Sequence, residues 1–478
     1  MMTDTAVRDG AGLRSERGPI LASLMLTAAM VAIETSIVAT SVASIVDDLG
    51  GFTEFPWLFS GYLLAQAVSV PVYGRLSDLY GRKTIMMWGL GVFTVGSLLC
   101  ALSWSMAALV VFRVVQGFGA GAVQPMSQTI AGDIYTVAER ARIQGYLAGV
   151  WGTAVLVGPS LGGLLSAHVS WRATFLVAIP GCLLAAWLLS RHFVEDQDFA
   201  GEVSGRRTVD YTGAILLSSG SALLILGLLE GGDSWAWRSP IGAGVLGAAV
   251  ALLIVFVWVE RRVPDPILPL RVLARRIVVA ACLISLFRGA VAIGLTGYVP
   301  TFIQEVLGTG PARAGFALAA LSVGWPIASA LAGRLYMRHG FRAAVLVGAV
   351  TTVVGAVLAS RLTVHSELWH VIGACLVIGT GMGLIGGPTL IAAQSSVGWA
   401  ERGVVTSTSA FAVSIGSAVG VAVFGAVVNA RLGMVDAPEP GDLADAVHLV
   451  FVVMLGAAIV MTVAGTVLPG GRTDRTPA

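Results

Sequence analysis

Long apolar stretches, each broken by a short polar or charged segment, follow one another along almost the whole chain from Ile20 onward. A helix needs ~20 apolar residues to cross a ~30 Å hydrocarbon layer. On that measure the pattern predicts fourteen spans, at about 20–46, 57–73, 84–102, 106–130, 143–166, 173–190, 210–229, 241–259, 277–299, 312–332, 343–361, 369–391, 404–428 and 447–468. The expected fold class is therefore an all-α polytopic membrane protein. A polar N-terminal tail (1–19) precedes the first span, and no small-residue cleavage site follows that span, so it reads as retained.

Charge supports this division. Of 29 basic residues, 22 fall in loops and tails on the side that holds both termini, five on the other side, and two (Arg113 and Arg288) within spans. Such asymmetry marks the basic side as cytoplasmic, and a miscount by one span would scramble it downstream. Composition agrees: of 478 residues, 56% are hydrophobic and 12% charged, against about 25% charged in a soluble protein. Cys100, Cys182, Cys282 and Cys375 all lie in apolar runs without metal-type spacing, so no disulfide or metal site is expected.

The chain also matches itself. Gly74, Arg75, Leu76 and Gly81 recur as Gly333, Arg334, Leu335 and Gly340, 259 residues later; Gly158 and Gly162 recur as Gly416 and Gly420, 258 later. At ~32 residues per span, that offset is eight helices. Two equivalent six-helix bundles, 20–191 and 277–468, are expected, with an inserted helix pair and its flanking linkers at 192–276 and a C-terminal tail at 469–478.

Four polar groupings stand out against this background. Glu34 is the one acid deep inside a span, where an ionised carboxylate costs roughly 2.5–3.5 kcal/mol on insertion scales. Such a group tends to be paired, protonated or functional. Arg113, in the run Arg113-Val114-Val115-Gln116-Gly117, needs either a carboxylate or backbone carbonyls as partners, and Glu34 is the intramembrane acid available. The loop Gly74-Arg75-Leu76-Ser77-Asp78-Leu79-Tyr80-Gly81-Arg82-Lys83 sets glycines where the chain turns or a neighbour approaches. Gly149 to Gly163, with Gly158, Pro159, Gly162 and Gly163, spaces small residues for close helix contact around a proline bend.

These segments together resemble the major facilitator superfamily, whose signature loop has the form G-x-L-a-D-r-x-G-r-k, over essentially residues 20–468. The resemblance implies two parallel six-helix halves with substrate between them near the midplane. It also implies a conformational latch of Gly74, Asp78, Gly81, Arg82, Lys83 and Asp133, in which Asp78 caps a second-half helix and Arg82 pairs with Asp133. The second-half copy carries Met337 where the acid would be. The Arg-x-x-Gln-Gly pattern is similar to one associated with proton transfer, and the Gly149–Gly163 segment to the antiporter motif of exporters. Glu34-Thr35-Ser36-Ile37-Val38 is similar to the acid-x-T-I-V signature of fourteen-span drug:proton antiporters, with glutamate for aspartate and Ala43 for a proline.

The implied activity is proton-coupled export of hydrophobic or amphiphilic small molecules by alternating access, with Glu34 and Arg113 as the proton-coupling pair. Thr35, Gln116, Trp151, Arg288 and Trp325 are pocket candidates. Arg288 reads equally as a carbonyl-bonded structural residue or a pocket-lining one, and the two tryptophans equally as packing. The single lysine, Lys83, sits in no phosphate-binding loop, so a proton gradient is the expected energy source and neither cofactor nor metal is expected. No catalytic constellation is present, so the protein is not expected to be an enzyme. The expected partners are the small-molecule substrate, protons and membrane lipids, with no nucleic acid, for a monomer at the cell membrane whose composition is of a bacterial type. Two alternatives stay open: a lipid translocator on the same fold, and, disfavoured by the span 5 motif, a proton-coupled importer.

Overall fold

The computed structural model describes residues 12–52, 54–195, 210–232, 235–237, 239–432 and 439–470. Fourteen long helices organise it: α1 (Gly18–Leu49), α2 (Trp57–Tyr80), α3 (Arg82–Ala101), α4 (Met106–Ile134), α5 (Val137–His168), α6 (Trp171–His192, interrupted at Val177), α7 (Tyr211–Glu230), α8 (Pro240–Glu260), α9 (Arg276–Thr301), α10 (Pro311–His339), α11 (Phe341–Ser360), α12 (Leu368–Ser395), α13 (Arg402–Leu432) and α14 (Pro440–Gly465). Thirteen are long and apolar enough to cross a membrane. The remaining helix, α2, is as long but carries Gln66, Ser69, Arg75 and Asp78; it packs against α4 and α13, which shelter that polarity. Residues 196–209, within the segment expected to hold the first flanking linker, and the basic residues Arg8, Arg238, Arg472 and Arg475, lie outside the described residues.

The helix pairings repeat. α1 packs on α5 and α6, and α4 on α2 and α3; eight helices later, α9 packs on α13 and α14, and α12 on α10 and α11. The glycines explain why. A Cβ at Gly158 would overlap Ser36 of α1, and one at Gly416 would overlap Leu286 O of α9. Gly162 and Gly420 stand against Ile37 and Ala290 in the same way. Backbones can approach this closely only where no side chain intervenes, and in lipid that packing replaces the hydrophobic drive. Gly149 and Gly163 depart from expectation: each faces open space, and the close contact of α5 with α1 is carried by Gly158 and Gly162.

α7 and α8 pack on each other through Gly220 and Gly227, which meet Leu252, Leu253 and Leu246. Ile225 of α7 joins Ala67 of α2 and Ala418 of α13, so this pair leans on the line where α2 and α13 meet. Between the halves, α5 crosses α10 and α2 crosses α13. Trp104 and Trp369, at or beside helix ends, are exposed. Trp171 is instead buried, its indole N–H donating to Asp48 at 3.0 Å while Arg172 packs over its ring, so a specific outer-end contact replaces a lipid-facing one.

Candidate functional site

Glu34, Arg113 and Gln116 meet in the interior of the first six helices. Arg113 Nη1 lies 3.0 Å from Glu34 Oε1, and both side chains are 1% exposed. The same nitrogen donates to Gln116 Oε1 at 2.6 Å. One helical turn separates Arg113 from Gln116 on α4, so the two project from one face. Gln116 Nε2 donates to Ser97 Oγ (2.7 Å), whose hydroxyl donates to Phe93 O (2.9 Å). Arg113 Nε donates to Leu58 O at 3.0 Å, and its guanidinium stands 4.1 Å from the centroid of the Tyr62 ring. Both partners foreseen for this arginine, carboxylate and carbonyl, are therefore present.

Glycines let the helices come near enough to make the site. A Cβ at Gly96 would sit 2.7 Å from Gln116 N, and one at Gly117 would overlap Tyr62 O. A buried ion pair repays its desolvation only with good geometry and further hydrogen bonds; here the arginine has four partners and the carboxylate one. Glu34 Oε2 and Tyr62 Oη are buried without a hydrogen-bond partner among the described residues. Thr35, a pocket candidate, commits its hydroxyl proton to Ala32 O at 2.8 Å.

A second constellation lies where the ends of α2 and α4 meet the start of α13, beside loops rich in basic residues. Asp78, at the end of α2, accepts from the backbone N–H groups of Gly403 (3.0 Å) and Val404 (2.9 Å), the first turn of α13. A carboxylate there satisfies orphan donors and complements the helix dipole. Gly74 and Gly403 make room for it: a Cβ at Gly403 would lie 2.6 Å from Asp78 Oδ1 and 2.7 Å from Gly74 O. Arg82, fully buried, pairs with Asp78 (2.8 Å) and Asp133 (3.1 Å), donates to Trp399 O (2.7 Å) and stacks 3.5 Å from the Trp399 ring centroid. Arg402 reaches Asp133 from the other half at 3.0 Å.

Lys83 and Gly81 take no part in that cross-half contact. Lys83 Nζ donates to Ser190 O (2.9 Å) and Phe193 O (2.6 Å) at the end of α6, because its neighbouring position on α3 points it away from Arg82. Gly81 supplies the φ of +94° that starts α3. The first amides of α3 are capped by Glu195, which accepts from Arg82 N at 2.7 Å. Glu195, Trp399, Arg402 and Tyr62 were not singled out by the sequence; each acts on a residue far away along the chain.

The remaining candidates are spread out. Trp325 on α10 is half-buried and lies under the Arg288 guanidinium, 5.8 Å from its centroid. Trp151 is 43% exposed on α5, beside the point where Gly152 meets Ser322 and Pro326 of α10. Among the described residues no group of histidines, cysteines and acids is arranged to hold a metal ion.

The chain matches the Major Facilitator Superfamily over residues 24–421, and it belongs to that family. It is thus a multi-pass membrane transport protein and not an enzyme. It is 31% identical over 422 residues to the multidrug transporter protein MdtP of Bacillus subtilis, covering 88% of this chain and 77% of that one. It is 30% identical over 408 residues to multidrug resistance protein 3 of the same organism, covering 85% and 79%. Among solved structures, the human organic anion transporter MFSD10 superposes with a TM-score of 0.67 at 16% identity, covering 94% of this chain and 99% of that one. A bacterial homologue of the iron transporter ferroportin in its outward-facing state gives 0.65 at 12%, with the same coverage.

Proposed function

We propose that the protein is a proton-driven exporter of hydrophobic or amphiphilic small molecules, working by alternating access in the cell membrane of a bacterium. The observation that carries the reading is the buried Glu34–Arg113 pair: one carboxylate oxygen is held by the arginine while the other is free of any donor in the described protein. That oxygen is where a proton can bind. Motion of Arg113 relative to Glu34 then switches the carboxyl between its charged and proton-bound forms. Gln116 and Leu58 O hold the guanidinium while it waits.

The two six-helix bundles, 20–191 and 277–468, rock about the seam, with the inserted 192–276 segment beside it. Asp78, Arg82 and Asp133, with Trp399 and Arg402, lock the inner side while substrate leaves outward. Closure there is the state described above. A single chain suffices for this cycle, and the proton gradient supplies the energy without a bound cofactor. The relatives named as multidrug proteins support small-molecule drugs as cargo.

Everted vesicles carrying the protein test direction. An amphiphilic dye is expected to accumulate inside them when their lumen is acidified, and a protonophore should collapse the accumulation. Dye movement only toward the bath would make the protein an importer, and lipid movement without dye movement would make it a lipid translocator.

A further inference from the structure

Arg288 stands at the middle of α9, twelve residues from the start of the helix at Arg276, which is about 18 Å along its axis. It has neither an ion pair nor a hydrogen bond among the described residues. One of its nitrogens lies 3.0 Å from where a Cβ of Gly386 on α12 would stand, so the guanidinium occupies space that glycine leaves open. The Trp325 ring lies on it as well, with the guanidinium 5.8 Å from the ring centroid. Arg113, by contrast, is matched by Glu34 and three further groups.

The charge balance of the interior follows. Glu34 and Arg113 cancel, and Arg288 remains as one uncompensated positive charge at mid-membrane depth. Such a charge is costly and tends to mark a pathway. A forked guanidinium matches carboxylate, phosphate or sulfonate oxygens, and an adjacent tryptophan offers a flat apolar surface to a ring. Among the described residues, the buried acid beside this depth, Glu34, is already paired with Arg113.

We infer that Arg288 and Trp325 form a recognition subsite for amphiphiles bearing an anionic group, with the anion on the guanidinium and the apolar body against the indole. This deepens the exporter reading and rests on it for its role in transport; binding itself can be measured without transport.

The test is equilibrium binding of 6-(2-naphthyl)hexanoate, its primary amide and the matching amine to the purified full chain in phosphatidylcholine nanodiscs. The wild type is expected to bind the carboxylate at least about tenfold tighter than the amide or amine, the scale of a charge-assisted hydrogen bond. Arg288→Gln should erase that preference while leaving amide affinity unchanged, which also reports that the variant is folded. Should Arg288→Gln fail to fold, Arg288→Lys serves, and should keep part of the preference. Trp325→Ala should weaken carboxylate and amide alike. Equal binding of carboxylate and amide by the wild type, or a full preference retained in Arg288→Gln, overturns the subsite. Repeating the titration with phosphatidylglycerol in the disc separates the two sources of anion: competition assigns a lipid headgroup, its absence a free amphiphile. A wild type that binds the carboxylate but moves no probe in vesicles would sink the exporter reading and leave the subsite standing.

Discussion

Gly81 and Gly340 hold the same left-handed backbone, φ +94° and +86°, at matching points of two loops 259 residues apart. Gly74 and Gly333, seven residues before them, each let a helix of the other half come within backbone distance: α13 at Gly74, where Ser407 would meet a Cβ, and α5 at Gly333, where Ala141 would. The chemistry on these two matching frames differs. Asp78 in the first loop joins the halves through two amides and a buried arginine; Met337 holds the corresponding place in the second. There Tyr336 reaches across instead, its hydroxyl donating to Val137 O at 2.7 Å. The repeat thus supplies two crossings of similar shape, and one of them has been made ionic. An ionic crossing is strong when complete and unstable when one member is lost, a property suited to a switch. The other crossing depends on shape and gives way gradually.

That contrast can be broken from its strongest side. Asp78→Ala leaves Arg82 buried with one acid fewer and uncaps α13, at a cost of about 3–5 kcal/mol to the inner-closed state. Spin-label distances between the inner ends of α2 and α13 should lengthen, and unchanged distances would count against the latch. Shape should matter equally in both copies. Gly74→Val and Gly333→Val each insert a side chain into backbone contact and should cost about 1–3 kcal/mol, read as similar losses of thermal stability in the same detergent. A marked inequality would show the crossings to be unlike in packing too. The smallest effect is expected from Tyr336→Phe, which removes one neutral hydrogen bond worth about 1 kcal/mol and should barely move the same distances.

Much of this was legible in the sequence where the signal is local or periodic. The spans follow from apolar run length, and the handed alternation of basic loops fixes their count. The pairing of Asp78 with a second-half helix and of Arg82 with Asp133 followed from family resemblance, and the contacts are found where it placed them. What escaped depends on proximity between remote segments. Trp399 stacks on an arginine 317 residues earlier, and nothing in its own neighbourhood announces it. Lys83 belongs to the latch by its place at the end of the family's signature loop, yet adjacent helix positions point about 100° apart, so it serves α6 instead. Gly149 and Gly163 fit a small-residue pattern whose contacts fall elsewhere on the helix. The open question over Arg113 had two readings, carboxylate or carbonyl, and the folded chain uses both.

The central claim is that the carboxyl of Glu34 carries the proton that drives transport. Its most direct test is Glu34→Gln in proteoliposomes, which keeps the shape and the hydrogen bond to Arg113 but removes the titratable group. Amphiphile flux down its own gradient should persist, while flux driven by an imposed pH difference, together with substrate-stimulated proton movement, should vanish. Undiminished pH-driven flux in Glu34→Gln would contradict the account.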